Sequence, residues 1–189
     1  MKRVMVIACA AAGCRAHVQL AAPPAGAPEG ERIAAYARLR PGPIGFEYHK
    51  GAAVDSHVEL GDGTRIGYAA DLEPVVLPSS QTAAYAARAA SAREHRNRWT
   101  MVAVGIFAAT VTAGTVESEV VHDPWRMLGA EWGTLLVGAL LEWRTYRHLA
   151  PYSRDAFDAQ AAAFDGYDAD LRARLDVCVD GLRVTACDR

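Results

Sequence analysis

The chain has 189 residues, 51% of them hydrophobic, and a formal net charge of −2. That length suits one compact domain with appendages, and the composition excludes both a disordered chain and a polytopic membrane protein. A near-neutral balance without a basic patch gives no electrostatic case for nucleic acid as a partner.

Met1, Lys2 and Arg3 make a positive start, and residues 4–12 a short apolar run, the pattern of an export signal. Ala11-Ala12-Gly13-Cys14 follows. It resembles the lipobox of bacterial lipoproteins, with Ala11 standing where that family prefers Leu or Val. The resemblance implies that residues 1–14 are a signal segment and that the thiol of Cys14 carries a diacylglyceryl lipid. Val6-Ile7-Ala8-Cys9 also fits the motif but leaves too few residues before it. Arg15, in place of an Asp, implies transport to the outer membrane in a Gram-negative cell. An ordinary signal peptide is the alternative for the same stretch.

There are four cysteines. If processing removes Cys9 and lipid occupies Cys14, then Cys178 and Cys187 remain as a pair. A disulfide between them suits an exported protein and contributes about 2–3 kcal/mol by loop closure. A metal site is not expected there, because the two cysteines lack a Cys-x-x-Cys spacing and a neighbouring His.

Residues 15–30 are rich in Ala, Gly and Pro, with Pro23, Pro24 and Pro28, and read as a flexible linker. Residues 31–78 read as a small α+β region. A helix over 31–40 stops at Pro41-Gly42-Pro43. Period-two patterns then predict strands at 44–48, 54–60 and 64–68, the last two joined by a Gly61-Asp62-Gly63 turn. Residues 71–78 are a proline-bounded exit.

Three motifs here carry no chemistry. Gly61-x-Gly63-x-x-x-Gly67 has the wrong spacing for a dinucleotide loop, and no helix opens after it. Asp55, Ser56 and His57 hold the letters of a catalytic triad, but neighbours in a strand point to opposite faces. His49 and His57 have no third ligand specified by spacing.

Residues 79–150 read as a long helical hairpin. Ser79 or Ser80 is a suitable N-cap, and the Ala-rich run 81–98 suits a helix that can continue as one rod through 116, about 54 Å long. Residues 99–116 contain no charged side chain, and about 27 Å of such helix just matches a bilayer core. Trp99 stands where an interfacial aromatic belongs, behind Arg93, Arg96 and Arg98. Gly105, Ala109 and Ala113 recur every fourth residue as a close-packing face.

The second membrane-like segment, 125–143, follows Asp123 as N-cap and Pro124 at the first helical position. Gly129 and Gly133 offer a matching small face, Trp143 closes an apolar stripe, and Glu131 lies near the helix start, where the dipole favours it. The alternative is a helix too polar to span, packed as a soluble core or lying on a surface. The flanks are basic, with Arg144 and Arg147 on the far side, so the positive-inside tendency puts them in the cytoplasm, against the export signal.

In 151–189, Pro151 ends the second helix and Ser153 caps a third over 155–176, with an inner stripe of Phe157, Ala161, Phe164, Leu171 and Leu175. An Asp180-Gly181 turn between Val177-Cys178-Val179 and Leu182-Arg183-Val184 predicts a closing β-hairpin flanked by the cysteines.

The expected fold is therefore α+β, mainly α, with a long helical hairpin, a small antiparallel sheet and a C-terminal β-hairpin. Together with the lipobox, this outline resembles small uncharacterised lipoproteins of high-GC bacteria. The resemblance implies a non-enzymatic envelope lipoprotein, anchored at the outer membrane or its periplasmic face, that tethers a small domain in a binding or assembly role. Membrane lipid, and another envelope protein, are the partners in view; no cofactor, metal or catalytic residue is called for. A two-helix inner-membrane protein with a cytoplasmic head, acting as a subunit or regulator, is the alternative.

Overall fold

The computed structural model describes residues 18–24, 26–49, 52–120, 124–181 and 183–187. In chain order these form helix α1 (Glu29–Leu39), strands β1 (Pro41–His49), β2 (Ala52–Leu60) and β3 (Arg65–Ile66), and a 3-10 segment (Ala69–Val75). Two long helices follow, α2 (Gln81–Val120) and α3 (Pro124–Leu175), then strands β4 (Val177–Asp180) and β5 (Arg183–Ala186). The fold is α+β and mainly α: a long helix pair, a three-stranded antiparallel sheet in the order β1-β2-β3, and a C-terminal two-stranded hairpin.

The sheet obeys the period-two pattern. In β2, Ser56, Val58 and Leu60 are buried, while Glu59 faces water. Pro41 and Pro43 are confined to the edge strand β1, where a missing donor breaks no central ladder. Two glycines set the β2–β3 turn for different reasons. Gly63 has φ +81°, a conformation that glycine reaches without a steric penalty. Gly61 runs so close to α1 that a Cβ would stand 2.1 Å from the Ala37 carbonyl oxygen.

The head's core lies between the sheet, α1, the 3-10 segment and the parts of α2 and α3 nearest them. Val58, Ile66, Leu72, Val75, Tyr167 and Leu171 are fully buried. On α3 the expected stripe is present at Phe164, Leu171 and Leu175, with Phe157 and Ala161 half-buried. Small residues let the two long helices approach: Ala86, Ala89 and Ala92 of α2 and Ala156, Ala159 and Ala163 of α3 are buried.

Ser80 caps α2 as expected, its hydroxyl accepting from the Ala83 N–H at 3.1 Å. Across the pair, the Asp170 carboxylate accepts from the Thr82 N–H at 2.8 Å, satisfying a second donor of the same terminus. At its other end α3 stops at Asp176, in the left-handed region at φ 53°. Arg32 of α1 reaches it and donates to the carbonyl oxygens of Leu175 and Asp176 and to the Asp176 carboxylate, each at 3.1 Å.

Four expectations are corrected. Residues 18–24 do not form a free leash: Val18, Leu20 and Ala22 pack against the core, and the Ala21 carbonyl accepts from Arg38 at 3.1 Å. Apolar residues at every second position allow an extended strap to bury one side. Helix α1 begins at Glu29, with Pro28 preceding it.

Pro151 does not end the second helix; it lies inside α3, so the expected third helix is the same rod. Proline removes one donor to a carbonyl four residues back, yet tertiary contacts on both sides hold the helix together. Tyr152 stacks on His95 of α2 with ring centroids 5.2 Å apart, and Ala156 and Ala159 are buried one and two turns further on. Ser153 serves as no cap; its hydroxyl donates to the Leu149 carbonyl at 3.2 Å.

The C-terminal turn is shifted by one residue. Asp180 pairs with Arg183 in the ladder, so Gly181, at φ +58°, is the first loop residue.

Candidate functional site

The candidate site is the half of the helix pair that leaves the head, together with the neck joining the two. Among the described residues, none beyond Trp99 on α2 or before His148 on α3 belongs to the head's hydrophobic core. The apolar side chains of this half face outward on both helices. Phe107 is 61% exposed and Leu140 63%, with Met101, Val111, Trp132 and Leu136 each more than half exposed. Water-facing surfaces of folded monomers do not gather large apolar residues in this way.

The two helices meet in a shallow apolar groove lined by Ile106, Ala109, Thr110, Gly133, Val137 and Leu141. They pack tightly at Gly138, where a Cβ would stand 2.6 Å from the side chain of Thr110. The expected packing glycines do something else. Gly105, Gly129 and Gly133 have open space where a side chain would go, and Ala109 is exposed. Thr110 explains the difference. Its hydroxyl donates to the Ile106 carbonyl at 2.9 Å, which fixes the β-branched side chain against α3, and only glycine fits opposite.

The neck is built from stacked rings. Trp99 lies on His148 at 5.0 Å between centroids and 10° between planes; one turn toward the head, His95 lies on Tyr152. The flanking residues are basic and aromatic. Arg147 places its guanidinium 5.1 Å from the centre of the Trp143 ring, and Trp143, Arg144, Tyr146 and Arg147 are all exposed. Trp99 and Trp143 therefore occupy the boundary between the apolar half and the head, as their spacing suggests. Both stacks follow from pairs spaced four apart, His95 with Trp99 and His148 with Tyr152, placed face to face in an antiparallel hairpin. That signal was available in the sequence once the two helices were paired.

Among the described residues, no helix is long and apolar enough to cross a membrane. The membrane-like segments expected at 99–116 and 125–143 lie partly outside the residues whose side chains are described. Asp123, expected as N-cap of the second helix, and Cys14, expected to carry lipid, lie outside the described residues, and so does the side chain of Glu131.

Cys178 and Cys187 are joined by a disulfide, with their Cα atoms 5.0 Å apart. The Cys187 N–H donates to the Asp176 carbonyl at 3.2 Å, so the bridge ties the end of β5 to the point where α3 ends.

In the head, polar side chains are engaged in holding elements together. Gln160 of α3 is buried under β2, donating to the Ser56 carbonyl at 2.7 Å and to Asp55 at 3.0 Å, and accepting from Arg93 of α2 at 2.6 Å. Arg93 also lies 4.2 Å above the centre of the Tyr68 ring. Ser56 is thus turned inward, while His57 lies on the opposite face of the strand beside Arg65, 3.0 Å away. His57 opposes Gly45 across the β1–β2 ladder. Among the described residues, no group of three or more His, Cys, Asp or Glu side chains is placed to hold a metal.

Two tyrosines join α1 to α3. Tyr167 donates to the Leu39 carbonyl at 3.1 Å, and burial pushes its phenol well above the usual value. Tyr36 donates to Asp168 at 2.8 Å; burial first, then that carboxylate, raise its pKa as well. Asp168 is paired in turn with Arg172.

No known protein family, no curated protein and no solved structure matches this chain.

Proposed function

We propose that this is a membrane-bound protein of the bacterial envelope whose helical hairpin dips its apolar half into lipid and holds the head at the surface. The head serves as a non-enzymatic binding or assembly module, and Cys14, by its lipobox, supplies a second anchor. The single observation that carries this is the outward-facing apolar surface on both helices, with Phe107 and Leu140 more than 60% exposed on opposite arms of the hairpin. Burying such side chains in hydrocarbon is worth on the order of 1.5–3 kcal/mol each.

The disulfide supports a head outside the cytosol, because such bridges persist in oxidising compartments. A cytoplasmic head on an inner-membrane protein would leave Cys178 and Cys187 in a reducing one. Entry of the hairpin from the outer side also removes the conflict with its basic flanks. The positive-inside tendency governs segments held back during translocation, and here the whole chain is exported first. With the strap 18–24 laid on the head, only a few residues separate Val18 from Cys14, so a lipid there would hold the head close to the bilayer.

Phase separation of the full chain in a cloud-point detergent tests this proposal. The expected result is partition into the detergent phase, persisting when Cys14 is replaced by Ser. A Cys14→Ser protein found entirely in the aqueous phase as a monomer would overturn the role given to the hairpin.

A further inference from the structure

Building on the membrane-bound hairpin, we infer that its neck is a clamp for the phosphates of anionic phospholipid headgroups. The two ring stacks fix the level of each residue. With Trp99 against His148 and His95 against Tyr152, Arg147 falls opposite Thr100 and Arg144 opposite Ala103. Arg96 lies about one turn and Arg98 about half a turn to the head side of that level, and Arg144 about one turn to the apolar side. Four arginines thus fall within one short zone along the pair, against the two carboxylates of Glu94 and Glu142. Arg98 is paired with Glu94 on its own helix, and among the described residues neither Arg96 nor Arg144 has a carboxylate partner.

The aromatic neighbours fit the same depth. Trp143, Tyr146 and Tyr152 carry an apolar ring with a polar tip, which suits the layer between hydrocarbon and water. Arg147 stays extended over the Trp143 ring, leaving its outer N–H groups free to fork onto a phosphate. Below the zone are the exposed apolar side chains of the hairpin, and above it is the charged head, so a guanidinium here meets headgroups and nothing deeper. Positive charge on this scale favours anionic over zwitterionic lipid.

The test uses the full chain carrying W125F and W132F, so that only the two neck indoles emit, reconstituted into phosphatidylcholine bilayers. Quenching is compared for phosphatidylglycerol and phosphatidylcholine brominated near the glycerol end of the acyl chain. The expected result is a preference for phosphatidylglycerol of about three- to tenfold that weakens with salt. It should fall to parity in R96Q/R144Q/R147Q and survive in R96K/R144K/R147K. Equal quenching by the two lipids, selectivity that persists in the Gln variant, or its loss in the Lys variant would overturn the clamp while leaving the membrane-bound hairpin intact. Absence of quenching by either lipid would overturn the hairpin's insertion itself.

Discussion

Gln160 shows what a single side chain contributes to the head. Its amide bonds two elements at once, β2 through Ser56 and α2 through Arg93. Leucine in its place would leave the buried Ser56 carbonyl without its amide donor and remove the link to α2, a loss of about 2–3 kcal/mol. Thermal unfolding of Gln160→Leu followed by circular dichroism should show a midpoint roughly 4–10 °C lower; an unchanged midpoint would mean that the node is replaceable. The tyrosines give a pH signature. Burial favours the neutral phenols of Tyr36 and Tyr167, so their folded-state pKa values lie above the unfolded value of about 10. Their stabilisation is complete below that pH and is lost as pH rises beyond it, so stability should decline on the alkaline side. A Tyr36→Phe variant, urea-unfolded at several alkaline pH values, should show a shallower decline. Neither tyrosine could be singled out in the sequence, since their partners, Asp168 and the Leu39 carbonyl, stand more than a hundred positions away.

Strong local chemistry made some elements legible and tertiary contacts decided others. Gly61-Asp62-Gly63 announced its turn because the left-handed Gly63 and the crowded Gly61 are requirements of that backbone. Ser80 announced the start of α2 in the same way. Pro151 misled, since a local rule that ends helices was overridden by the stacking of Tyr152 on His95 and the burial of Ala156. Pro151→Ala would restore the missing donor inside α3 and should raise stability by about 1–3 kcal/mol, read from the urea midpoint; no gain would mean that the helix is already relaxed around the ring. The strap 18–24 was illegible because its small residues and prolines match those of a linker, and only the docked positions of Val18 and Leu20 set it apart. The C-terminal hairpin was legible from Gly181 and its flanking cysteines, apart from the one-residue shift of the turn. Reducing the Cys178–Cys187 bridge should cost about 2–3 kcal/mol of head stability, measurable as a lower urea midpoint with reductant present.

At the scale of the molecule, two halves with opposite surface chemistry share one pair of helices. The head buries its apolar residues around Tyr167 and Leu171, whereas the far half of the hairpin turns Phe107, Leu136 and Leu140 outward. The composition of 99–116 announced that contrast, but the residues that bring the helices together did not follow from it. The visible small-residue repeats of Gly105, Gly129 and Gly133 stay open, and an isolated Gly138 opposite Thr110 makes the contact. Spin labels at Phe107 and Leu140 of the full chain, reconstituted in bilayers, report what those positions face. Collision rates should be higher with dissolved oxygen than with a water-soluble nickel chelate at both sites, and reversed for a label at Glu59 in the head. Free access of the nickel chelate to Phe107 and Leu140, at the rate seen for Glu59, would mean that the hairpin stands in water.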